Sequence, residues 1–239
     1  MQDVIENTVG SMIPLQFENM LKNKDKDVKD IKEWSTDLSI TKVVLLGTGP
    51  TASKFKSGFM QYTLGNQTTM RVFPDAVEGV IVTDAGVKYP KGILKPRKSC
   101  DMFLASCVDP DLLRLLQKDW KHERTYMFHH PLFGGGNILD HVYRSLQPVG
   151  ISTNIVQVGC SMNAGLLLMA KLMIDGKIPK TRIHLVGVDY YDPENPEDER
   201  FKLYAENLKV IVKGLSEDGF WITKEKGPGP LGEFIEEVE

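Results

Sequence analysis

Cysteine is scarce in this chain: Cys100, Cys107 and Cys160 are the only three among 239 residues. Their irregular spacing fits neither a disulfide framework nor a zinc site, and each sits beside apolar residues, so they read as reduced, half-buried thiols. A basic surplus is missing too. Against 32 Asp and Glu stand 29 Lys and Arg, for a net charge of −3, which disfavours a nucleic-acid partner. No run of roughly eighteen apolar residues occurs, and the start MQDVIENTVGSMIPLQF lacks a basic region followed by an apolar core. The expectation is a cytoplasmic protein with no transmembrane segment. Internal repeats and low-complexity stretches are absent as well.

The composition does supply a core. With 41% hydrophobic and 26% charged residues, the chain can fill one domain, or one domain with a small appendage. Residues 1–40 predict a helical N-terminal extension: Leu15, Phe17 and Leu21 share a face, and the charged stretch Lys22 to Lys32 forms a solvated one before Trp34. Residues 41–239 predict the main domain. Strands are expected at Lys42 to Leu46, Val80 to Thr83, Met102 to Ser106, Thr125 to Phe128, Ile155 to Val158 and Arg182 to Val186. Helical stretches are expected at about 50–58, 109–122, 137–147, 161–174 and 201–215, with a terminal helix after Gly227 to Pro230. Nearly continuous apolar strands alternating with helices define an α/β fold: a doubly wound, mostly parallel, Rossmann-like sheet in a single domain.

In such a sheet, ligands bind beyond the carboxyl ends of the strands. The most informative strand end is Gly47-Thr48-Gly49-Pro50-Thr51, where a glycine-bearing turn leaves backbone amides to face a phosphate. No Gly-Lys-Ser/Thr follows it, which excludes a Walker loop. A dehydrogenase needs an acidic residue about twenty positions onward, whereas the first strand-end acid is Asp84, in a turn where Gly86 permits close backbone approach. Ser161 opens a helix, so its hydroxyl is expected to cap it while the amides of Met162, Asn163 and Ala164 face an anion. Asp189 follows a buried strand and either accepts from loop amides or binds a ligand hydroxyl or metal. Asp109 reads as the N-cap of a helix with Pro110 at its first position. His129 and His130 precede the flexible Gly134-Gly135-Gly136, and His141 lies in the next helical stretch. A histidine there suits a general base, whereas His122 and His184 read as structural.

Taken in order, the Gly-x-Gly-Pro-Thr turn, a second strand ending near Asp84, Asp109-Pro110, the Gly-x-Ser helix start and Val188-Asp189-Tyr190-Tyr191 resemble a superfamily with two branches. One holds the bacterial CMP-sialic acid-dependent sialyltransferases. The other holds the archaeal 6-hydroxymethylpterin diphosphokinases and the motility accessory proteins. The first branch implies a CMP-sugar donor held by Gly47, Gly49, Pro50, Asp84 and Ser161, and a histidine base that His141-Val142-Tyr143 matches; Thr48, Thr51, Gly86, Asn163 and Asp189, at the same strand ends, complete the expected nucleotide site, with His130 as a second candidate to deprotonate an acceptor hydroxyl. Thr48 and Asp84 stand where that branch has asparagines. The second implies ATP and magnesium bound through Asp109, but Cys107-Val108-Asp109 lacks one carboxylate of that branch's Asp-x-Asp. The resulting expectation is a nucleotide-dependent transferase acting on small molecules, glycosyl transfer ahead of diphosphate transfer. A non-catalytic nucleotide- or sugar-binding protein is the alternative, and a homo-oligomer is left open.

Overall fold

The computed structural model describes residues 13–24, 26–36, 39–84, 95–128 and 160–238. In chain order the elements are α1 (Ile13–Asn23), β1 (Lys29–Asp30), β2 (Lys42–Leu46), a 3-10 turn (Pro50–Lys54), β3 (Gln61–Asn66), α2 (Gln67–Val72), β4 (Gly79–Val82) and β5 (Asp101–Ala105). There follow α3 (Pro110–Arg114), β6 (Thr125–Phe128), α4 (Ser161–Ile174), β7 (Arg182–Val186), α5 (Glu199–Glu217), β8 (Ile222–Glu225) and β9 (Glu236–Val238). The fold is α/β and Rossmann-like, with parallel strands flanked by helices. The chain divides into two compact units, Met1–Trp34 with Val82–Gln157 and Ser35–Ile81 with Val158–Glu239. No helix among the described residues is long and apolar enough to cross a membrane.

In the first unit β6 pairs in parallel with both β1 and β5. Every residue of β5 is buried. Its one charged side chain, Asp101, is matched by the indole Nε1–H of the buried Trp34, which donates to Oδ2 at 3.0 Å, and by Arg124 Nε at 2.8 Å from Oδ1. Helix α1 is fastened by asparagines. Asn19 Nδ2 donates to Cys107 O at 3.1 Å, and Asn23 Nδ2 to the carbonyls of Ser106 and Val108 at 3.0 and 2.8 Å. These bonds satisfy backbone acceptors where β5 runs out and its ladder ends.

The second unit has the strand order β4-β3-β2-β7-β8-β9, all neighbours parallel. β2 lies between β3 and β7, and Val43 to Leu46 are buried, as a strand covered on both faces requires. Helix α4 is buried around most of its surface, and Gly165 lets it approach closely: a Cβ there would lie 3.1 Å from Leu64.

Four expectations are corrected. Strand β3 was not anticipated, because Gln61-Tyr62-Thr63-Leu64-Gly65-Asn66 mixes polar and apolar residues. Its polar groups are satisfied locally, Gln61 Nε2 donating to Thr63 Oγ1 at 3.1 Å and the Thr63 amide to Glu78 Oε2 at 2.7 Å. The second strand of the main domain therefore ends at Asn66 rather than near Asp84. The stretch 50–58 forms only the short 3-10 turn. Helix α3 widens into a π turn at Leu115–Asp119. The expected terminal helix is instead strand β9, anchored where the buried Lys224 ammonium donates to Glu237 Oε1 at 2.6 Å. The strand expected at Ile155 to Val158 and the helix at 137–147 lie outside the described residues.

Candidate functional site

Within the second unit, a cleft of about 560 Å3 opens beyond the carboxyl ends of β2, β3 and β7. Its position is the one an open parallel sheet reserves for ligands. Four segments line it: Gly47 to Pro50, Asn66, Cys160 to Met162, and Gly187 to Pro193, with Phe201 and Tyr204 of α5 closing one side.

The glycine turn is half of a joint with the loop after β7. Gly47 N donates to Val186 O and Gly49 N to Gly187 O, each at 2.8 Å. The Thr51 amide donates to Asp189 Oδ2 at 2.8 Å, and the Thr51 hydroxyl also lies 2.8 Å from Asp189 Oδ1. That hydroxyl in turn accepts from Gly187 N at 2.8 Å. The turn's glycines are demanded by this packing. A Cβ on Gly47 would fall 2.2 Å from Gly187 O, and one on Gly49 would fall 2.8 Å from Asp189 Oδ2. Gly187 itself has φ +67°, the left-handed region glycine enters without strain. Thr51 and Asp189, each 2% exposed, thus satisfy one another. Among the described residues the Thr48 amide has no backbone acceptor, and Thr48 lines the cleft.

The helix start opposite is built differently. Ser161 was expected to cap α4, but the N-cap is Cys160, and Ser161 is the first helical residue. Oxygen caps are strong acceptors and a thiol is a weak one, so the positive end of a 14-residue helix is left largely uncompensated at the cleft wall. Burial holds the Cys160 thiol above its ordinary pKa, with the Tyr190 hydroxyl and the Asn163 and Met162 amides pulling the other way.

Tyr190 joins this helix to the aromatic side. Its backbone has φ +48°, a strained conformation for a bulky residue. Its hydroxyl donates to Asn163 Oδ1 at 2.5 Å and lies 3.0 Å from Cys160 Sγ. Burial holds that phenol protonated well above its usual range. Asn163, fully buried, uses its Nδ2 to donate to Tyr204 O at 3.1 Å. Tyr204 packs edge-on against Tyr190 and Phe201, with ring centroids 5.9 and 6.5 Å away. Tyr190, Tyr191, Phe201 and Tyr204 together form an aromatic wall.

The structure therefore brings Gly47, Thr48, Gly49, Pro50, Ser161 and Asp189 to one cleft, with Thr51 and Asn163 buried behind its lining. Asp84 and Asp109 belong to the first unit and are not among the lining residues. Asp109 caps α3, its Oδ1 accepting the Asp111 amide at 2.8 Å, and Asp111 lies 3.6 Å from Arg114. Among the described residues no group of three or more His, Cys, Asp or Glu could hold a metal ion. Gly86, His130 and His141 lie outside the described residues. The two described histidines are held elsewhere: His122 between Thr125 and Arg97, His184 between Thr223 and Glu225.

Like Phe201 and Tyr204, Asn66 is a lining residue that sequence reasoning missed. Its Oδ1 caps α2 by accepting the Thr69 amide at 2.9 Å and the Thr69 hydroxyl at 3.0 Å. The side-chain amide N–H groups remain for a ligand. The available signal was its place about twenty residues after Gly47, where nucleotide-binding sheets put a ribose contact.

No protein-family model matches the chain, and no curated protein matches it in sequence. Among solved structures, it is similar to a point mutant of the alpha-2,3/8-sialyltransferase CstII, at 11% identity and TM-score 0.38, over 83% of this chain and 87% of that one. It is also similar to CstII from Campylobacter jejuni in complex with the substrate analogue CMP-3FNeuAc, at 11% identity and TM-score 0.37, over 84% and 86% of the two chains. A superposition that loose carries no argument about this chain.

Proposed function

We propose that the cleft binds a nucleotide-activated sugar, a CMP-sugar by preference, and that the protein is a glycosyltransferase. The observation that carries this reading is the start of α4, whose N-cap residue Cys160 makes no side-chain cap hydrogen bond and lines the cleft. Such a helix end is an anion site. It faces a cleft of about 560 Å3, a size that suits a small-molecule ligand. The aromatic wall gives a base or sugar ring a surface to pack on. Asn66 and the Thr48 amide offer donors to ribose or phosphate oxygens.

In the transfer, the bond between the anomeric carbon and the phosphate oxygen breaks as the acceptor oxygen bonds to that carbon. Negative charge builds on the leaving nucleotide phosphate. Preoriented amides of the α4 start stabilise that charge most in the transition state. A base takes the acceptor proton, and His141 and His130 are the candidates. Phosphate binding at α4 calls for no metal ligand, so ATP with magnesium is the less favoured donor.

Calorimetry with CMP, and with ATP and magnesium, tests the reading. CMP is expected to bind and ATP not to. Heat from ATP with magnesium alone, or from neither nucleotide, overturns it. Hydrolysis or transfer of a CMP-sugar that survives replacement of both His130 and His141 by alanine would remove those histidines as the base. Tight CMP binding with no turnover on any hydroxyl acceptor would leave a binding protein.

A further inference from the structure

The second unit contains another cavity, of about 430 Å3, which the transferase reading leaves unused. In the parallel register Lys42 lies beside Arg182, and Val44 beside His184. Alternate residues of a strand share a face, so Lys42, Val44, His184 and Val186 come to one side of the sheet, and all four line this space. A parallel sheet ordinarily buries such a face beneath a helix. Here the cover is a short turn: Lys54, Phe55 and Lys56 close one side, and Glu225 and Lys226 at the end of β8 close another. The rim is fastened by Lys54 Nζ donating to Lys226 O at 2.7 Å.

The charges lining the cavity are Lys42, Lys54, Lys56 and Lys226 against Glu225 alone, in a chain whose net charge is −3. That acid is engaged, since Glu225 Oε1 lies 3.3 Å from His184 Nε2. The opposite ring nitrogen of His184 is 2.9 Å from Thr223 Oγ1. Lys42 is held below its ordinary pKa first by burial and then by the Arg182 charge, with Glu225 opposing. Lys42, Lys54 and Lys56 thus stand around an open space whose one lining acid is Glu225, and a bound anion would lower their mutual repulsion.

We propose that this cavity is a second anion site, distinct from the nucleotide cleft, and that it takes a compact, multiply charged phosphate of the pyrophosphate class. Lysine ammoniums on flexible stems close around such an ion as point charges. The sheet face supplies a half-buried ammonium at Lys42, and the turn supplies exposed ones at Lys54 and Lys56.

The experiment is a titration of the full chain with inorganic pyrophosphate, followed through the imidazole resonances of its five histidines. His184 lines the cavity, and its signal is assigned by its loss in His184→Gln. A saturable shift of that signal is expected. Lys54→Glu combined with Lys56→Glu, both exposed positions, should weaken pyrophosphate about tenfold or more, because two attractive contacts become repulsive. CMP affinity, read by calorimetry in the same variant, should not change. Should charge reversal disturb folding, Lys54→Gln with Lys56→Gln gives the same test in milder form. An unmoved His184 signal, or an equal midpoint in a folded lysine variant, overturns the proposal. Neither result bears on CMP binding in the cleft.

Discussion

Two segments meet at the cleft, the glycine turn and the start of α4, and they share a sequence signature but not a use. Gly47 to Thr51 carries two glycines and a hydroxyl, and the sequence Gly159-Cys160-Ser161 carries one of each. In the first, the amides of Gly47, Gly49 and Thr51 all donate to the loop after β7, and the hydroxyl of Thr51 bridges Asp189 and Gly187. The second leads into a helix whose N-cap residue, Cys160, makes no side-chain cap hydrogen bond. One turn is a structural joint, and the other leaves its helix start without a side-chain cap. A glycine at a strand end can therefore be required by a neighbouring carbonyl as well as by a phosphate, and only the partner of its amide tells which.

The largest effect expected from this contrast is at Gly47. Alanine there would place Cβ 2.2 Å from the Gly187 carbonyl oxygen, a backbone atom that cannot rotate away. Gly47→Ala should destabilise the fold by about 3 kcal/mol or more, in the range of severe steric changes in well-packed regions, and be read as a large drop in the chemical-denaturation midpoint. A variant of unchanged stability that merely loses CMP binding would return the glycine to the role of a phosphate contact.

The next contrast sets Thr51 against Ser161. Thr51→Val removes a buried hydroxyl and leaves Gly187 N without its acceptor and Asp189 without one donor. It should cost about 2–3 kcal/mol of stability, as for buried polar groups left unpaired. Ser161 is half-buried at the cleft, and among the described residues its hydroxyl has no partner. Ser161→Ala should leave stability within about 0.5 kcal/mol, as at other sites without such features, and show itself only in weaker CMP binding by calorimetry. Equal destabilisation by both substitutions would erase the difference between the turns.

Much of the fold was legible because the apolar strands are short and uninterrupted: Lys42 to Leu46, Thr125 to Phe128 and Arg182 to Val186 match β2, β6 and β7, and α4 runs over the expected 161–174. The cleft was legible through the rule that strand ends gather ligands, which placed Gly47 to Pro50, Ser161 and Asp189 together. What escaped was set by long-range pairing. β3 escaped because Gln61 and Thr63 are polar, and they tolerate burial only through partners that periodicity does not reveal. With β3 went Asn66. Residues 236–238 took a strand because Lys224 needs the Glu237 carboxylate, a match across 13 residues that no local propensity encodes. The joint between Thr51 and Asp189 spans 138 residues, so the sequence left Asp189 open between accepting from loop amides and contacting a ligand, and did not tie it to Thr51.

The smallest and most discriminating change is Cys160→Ser, which makes the open turn more like the closed one. A serine at the N-cap accepts the first-turn amides far better than a thiol, and such caps contribute about 0.5–2 kcal/mol over residues that cannot accept. The gain here should sit at the low end of that range, since the Cys160 sulfur already lies near the Met162 and Asn163 amides and Tyr190 would lose its contact with sulfur. The same hydroxyl competes with an incoming phosphate for those amides. Cys160→Ser should therefore raise the denaturation midpoint slightly while weakening CMP about twofold to threefold, a shift of roughly 0.4–0.7 kcal/mol by the usual affinity conversion. Stability and affinity moving in opposite directions is the signature of a helix end kept uncapped for a ligand. If both rise together, or the affinity does not move, the phosphate does not sit on the α4 amides.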